Sequence, residues 1–113
     1  MISVELVKQG GDVLAFRVTG HAGYAKKGSD IVCSAVTAVV YGALGALEEL
    51  CGMKDYEDVE DGKESDYIAF ELPKDVLAGP NDKAKVILQT MVIGLKQIEF
   101  VYDEYITINE REV

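Results

Sequence analysis

Apolar and polar positions change period along this chain, and each change marks an element. Ile2-Ser3-Val4-Glu5-Leu6 and Leu14-Ala15-Phe16-Arg17-Val18 alternate apolar with polar or small, the period of strands with one buried face. Gly10-Gly11-Asp12 between them can supply the positive φ of a tight connection, so the spacing predicts an N-terminal hairpin. Residues 20 to 28 show no period and hold three glycines and two lysines, which reads as a loop. Ser29 or Asp30 can cap a helix that runs from Ile31 to Leu50 and stops at Gly52 as its C′ residue. This helix is apolar almost all round, which requires burial on more than one side, either within the domain or at a subunit contact. Gly42, Gly45 and Ala46 would let another backbone approach, and a homodimer is expected.

The second half repeats the alternation. Tyr56 to Asp61 and Asp66 to Leu72 flank Asp61-Gly62-Lys63, a strong short-range hairpin signal, with Ile68, Phe70 and Leu72 on the inward face. After Gly79-Pro80, Asn81 or Asp82 can cap a helix whose positions Ile87, Met91, Gly94, Leu95 and Ile98 recur every three or four residues. Tyr105 to Ile108 forms a last strand before a charged tail. The expected fold class is α+β: one two-layer domain over residues 1–113, in the order ββαββαβ, with two helices packed on a largely antiparallel sheet.

Composition narrows the function classes. The 113 residues are 49% hydrophobic, enough for one core. Twenty acidic against eleven basic residues give a net charge of −9, which argues against a nucleic-acid surface and favours a basic protein partner. Eight carboxylates (Asp55, Glu57, Asp58, Glu60, Asp61, Glu64, Asp66, Glu71) against Lys54 and Lys63 concentrate that charge in the second hairpin. Nothing in the pattern marks secretion or membrane insertion. Cys33 and Cys51 stand eighteen positions apart on one expected helix, about 27 Å at 1.5 Å per residue, too far for a disulfide. A cytoplasmic location with reduced thiols is expected.

The chemistry concentrates between His21, the only histidine, and Cys33. Cysteine attacks as its thiolate, and an imidazole and a helix N-terminus both favour that form. With the cap at Asp30, Cys33 is the third helical residue. The dipole supplies only about 0.3–1 kcal/mol, so the imidazolium is needed as well. His21 can reach Cys33 if the loop through Gly23 and Gly28 folds back over the helix start. Attack on a carbonyl then follows, with His21 as general base and acid and the N–H of Cys33 among the oxyanion donors. Each residue alone also has a structural reading. Cys33 fits as a small buried hydrophobe, and Asp30 serves either as the cap or as a group orienting His21. Thr37, one turn on, can orient a substrate or bond back to its own helix. Cys51 reads as structural. The cysteine and histidine spacing of a metal site is missing, as is a phosphate-binding glycine loop, and no cofactor is expected.

Gly20-His21-Ala22 followed by Gly28-Ser29-Asp30-Ile31-Val32-Cys33-Ser34-Ala35-Val36-Thr37 resembles the ribosomal-processing cysteine protease family, Prp. The likeness in layout extends over nearly the whole chain. It implies a bacterial endopeptidase that removes a short N-terminal extension from large-subunit ribosomal protein number twenty-seven and acts as a homodimer without cofactor. It places the catalytic pair at His21 and Cys33 and the family aspartate at Asp30. The substrate-covering loop then spans Gly20, Ala22, Gly23, Tyr24, Gly28 and Ser29. Many relatives have alanine where Ser34 stands and serine where Thr37 stands. Two other readings compete: a non-enzymatic ribosome-assembly module that binds a basic ribosomal protein, and a thiol hydrolase or transferase of small molecules.

Overall fold

The computed structural model describes residues 1–20, 29–53, 56–59, 67–71 and 82–113. Strands β1 (Ile2–Gln9) and β2 (Asp12–Thr19) precede helix α1 (Ser29–Cys51). Strands β3 (Tyr56–Val59) and β4 (Tyr67–Glu71), helix α2 (Asp82–Val101) and strand β5 (Ile106–Glu112) follow. The strands form one sheet in the order β3-β4-β2-β1-β5. β1 and β5 run parallel and the other pairings among the described residues are antiparallel, so the described residues form an α+β fold with a mixed sheet and two helices.

The first hairpin turns where its glycines stand: Gly10 at φ 60° and Gly11 at φ 89° join Gln9 to its partner Asp12. Two successive positive φ values suit the right-handed twist of the flanking strands. The inward positions of β2 differ from simple alternation. Val13, Phe16 and Val18 are buried while Leu14 is half-buried. Val7 pairs with Ala15 and Lys8 with Val13, so Leu14 is an extra residue, a β-bulge that turns Val13 inward.

Ile2, Val4 and Leu6 of β1 join Val13, Phe16 and Val18 in a core completed by both helices. α1 contributes Val32, Val36, Val40, Ala43, Leu44 and Leu47; α2 contributes Ala84, Leu88, Met91, Val92 and Leu95. α1 is long and apolar enough by length and composition to cross a membrane, with 33% of that stretch buried; the core face accounts for the buried part of its apolar character. Within the chain no neighbour among the described residues approaches Gly42 or Gly45, where a Cβ would meet open space. The tight helix contact is made from the other side, where a Cβ on Gly94 of α2 would lie 3.3 Å from Val39 Cγ1.

α1 ends as expected. Gly52 adopts φ 69°, its N–H donates to the Glu48 carbonyl at 3.0 Å, and the Met53 N–H donates to the Leu47 carbonyl at 3.0 Å, so two orphan carbonyls are satisfied. Gly52→Ala forces a side chain into the left-handed region and is expected to lower stability by about 1 kcal/mol, measured by urea denaturation.

The expected charged tail is corrected to a strand. β5 continues to Glu112 because its acidic residues find distant partners. Glu110 Oε1 lies 3.0 Å from Lys8 Nζ and 3.1 Å from Lys96 Nζ, and Glu112 Oε1 accepts the Gly10 N–H at 2.6 Å. Hydrogen bonding from Lys8, then from Lys96, holds the Glu110 carboxyl below its ordinary value. A lowered folded-state pKa stabilises the fold above the ordinary glutamate range, and that stabilisation is lost as pH falls through the lowered value. Because the cluster is at the surface, Glu110→Gln should cost less than about 1 kcal/mol at pH 7. The difference from wild type should vanish in melts below the carboxylate range. The turn at Asp61-Gly62-Lys63 and most of the acidic cluster lie outside the described residues.

Candidate functional site

The site is framed by the end of β2 and the start of α1. β2 closes at Thr19, and Gly20 follows at φ 91°. A Cβ on Gly20 would collide with the Met1 carbonyl oxygen and come within 3.3 Å of Ile2 Cα, so only glycine lets the chain leave the sheet this close to the start of β1. Val18 at one end and Val32 at the other both belong to the core, which anchors the two flanks of the connection. His21, Ala22, Gly23, Tyr24 and Gly28 lie outside the described residues.

α1 begins at Ser29, which corrects the placement of its start. Asp30 is already helical, so it is not the capping residue, and Cys33 is the fifth helical residue instead of the third. The orphan N–H groups of a helix are its first four, here those of residues 29 to 32. The Cys33 N–H is the next along the helix after those four.

Cys33 occupies the border between the covered and open sides of α1. Val32 and Val36 beside it are buried, whereas Ser34 and Thr37 are exposed. The thiol itself is half-buried against the core, held on one side and approachable on the other. Thr37, four residues on, lies on the same face one turn away, followed by Tyr41 after another turn; both are exposed. Ile31 is 62% exposed at the helix start. Neither Ile31 nor Tyr41 stood out in the sequence, because in a helix apolar all round nothing local distinguishes an exposed apolar residue from a core one. Cys51 is also a free thiol, at the far end of the same helix, about five turns from Cys33.

A family model described as cysteine protease Prp matches residues 1–107. The ribosomal processing cysteine protease Prp of Bacillus subtilis is 37% identical over 92 residues, covering 81% of this chain and 80% of the relative. That of Staphylococcus aureus is 33% identical over 110 residues, covering 96% and 98%. A crystal structure of the ribosomal processing protease Prp from S. aureus with a covalently linked product peptide superposes with a TM-score of 0.71 at 30% identity, covering 98% of this chain and all of the other.

Proposed function

The chain belongs to the Prp family of cysteine proteases and is a cysteine-type peptidase, and from that premise we propose that Cys33 is its nucleophile and His21 its general base and acid. The observation that carries this reading is the position of Cys33: a half-buried thiol in the opening turns of α1, with the exposed Ser34 and Thr37 beside it. The Cys33 thiolate adds to the scissile carbonyl carbon, His21 having taken the thiol proton. The carbon–nitrogen bond then breaks as His21 returns that proton to the departing amine, leaving a thioester. Water, deprotonated by His21, hydrolyses the thioester and regenerates the thiol.

The proposed substrate is the N-terminal extension of large-subunit ribosomal protein number twenty-seven. The names of the relatives support a ribosomal substrate, and a basic ribosomal protein suits a chain of net charge −9. Gly20, Ala22, Gly23, Tyr24, Gly28 and Ser29 belong to the substrate loop in this reading, and Thr37 orients the substrate beside Cys33. The enzyme works in the cytoplasm as a homodimer, with the exposed small-residue side of α1 (Ala38, Gly42, Gly45) covered by the partner.

The direct test mixes the protein with a peptide spanning that extension and reads products by mass spectrometry under reducing conditions. Cleavage at one bond is expected. An intact peptide beside a folded, dimeric protein would move the reading to a non-enzymatic ribosome-assembly module. Iodoacetamide near neutral pH should label Cys33 well before Cys51, as peptide mapping over time would show; equal labelling would remove the case for an activated thiol at the helix start.

A further inference from the structure

Among the described residues β5 forms an outer edge of the sheet, and an unpaired edge is a template for adding another strand. The parallel register decides which groups point outward. The Ile2 N–H donates to the Tyr105 carbonyl at 2.8 Å and the Val113 N–H donates to the Lys8 carbonyl at 2.8 Å. Thr107, Asn109 and Arg111 therefore turn their backbone groups toward β1, and Ile106, Ile108 and Glu110 turn theirs away. The far half of this edge carries Glu110, Arg111 and Glu112, and charge discourages pairing there. The near half, Ile106-Thr107-Ile108, is uncharged and β-branched, the composition most suited to strand addition. In that half the outward Ile108 N–H is taken: it donates to Glu99 Oε2 of α2 at 2.7 Å, in a partly buried contact.

We propose that Glu99 is a guard on the open edge of the sheet, its carboxylate occupying the Ile108 N–H so that β5 cannot pair with β5 of a second copy. The helix that covers the core thereby also closes the strand beside it.

Sedimentation velocity of the full chain tests this against the wild-type mass, whatever that mass is. Glu99→Ala should at least double the weight-average mass. Glu99→Gln keeps an acceptor oxygen for the Ile108 N–H and should retain the wild-type mass. Adding Glu110→Pro to Glu99→Ala should restore that mass, because residue 110 faces outward, so proline blocks the edge without breaking the β1 ladder. Hydrogen exchange should find the Ile108 amide protected in wild type and Glu99→Gln and exchanging faster in the restored double variant. Circular dichroism confirms that each variant is folded. An unchanged mass for folded Glu99→Ala, association of Glu99→Gln equal to that of Glu99→Ala, or persistence of the larger species in the proline variant would each overturn the proposal. An unprotected Ile108 amide in wild type would overturn it as well.

Discussion

Cys33→Ser is expected to end peptide cleavage while leaving the fold in place. Loss of a nucleophile in a unit of nucleophile and base typically costs on the order of 10⁴–10⁶ in kcat. Serine retains the shape but is a far weaker nucleophile at neutral pH. Cys33 is half-buried at the margin of the core, so the stability change should stay within about 1 kcal/mol. His21→Ala should reduce kcat to a similar degree. The double variant should be no slower than the slower single one, because residues acting as one unit do not add. Steady-state cleavage of the extension peptide, with thermal melts alongside, is the measurement. A Cys33→Ser enzyme within tenfold of wild type would eliminate the proposed mechanism.

Gly20→Ala carries the largest expected structural effect. The φ of 91° costs an L-residue roughly 1–2 kcal/mol. The new methyl would also strike the Met1 carbonyl, and Met1 can retreat only by disturbing Ile2, whose N–H begins the pairing of β1 with β5. A total of about 2–4 kcal/mol is expected, lowering Tm by roughly 10 °C in a chain of this size. Since residue 20 immediately precedes His21, cleavage by the remaining folded protein should also fall. Wild-type Tm and wild-type kcat together would show that this turn is neither strained by a side chain nor coupled to the site.

Local pattern was sufficient wherever the deciding partners are neighbours in the chain. Gly10-Gly11 makes a two-residue turn because both φ values are local properties. Gly52 ends α1 because its donors and acceptors lie within one turn. The buried face of α2, with Met91 and Leu95 inside and Ile87 and Ile98 packed against the core, follows from a helical period that needs no knowledge of what it faces. The placement of Cys33 near a helix start was legible for the same reason, although the first turn lay earlier than a cap at Asp30 would allow.

Tertiary structure decided the rest, because there the partners come from far along the chain. Leu14 looks like an inward residue until its register with β1 makes it the extra residue of a bulge. Asn109 to Glu112 looks like solvated tail until Lys8, Lys96 and the Gly10 amide supply partners from β1, α2 and the first turn. Gly94 rather than Gly42 or Gly45 admits the close helix contact, a choice set by which side of α1 meets α2. The chain's own pattern determined where strands, helices and turns lie and which residue types could carry thiol chemistry, since those depend on short-range sterics and period. Which edges stay open, which side of α1 leaves Cys33 approachable, and which charges are paired were decided only when distant segments packed together.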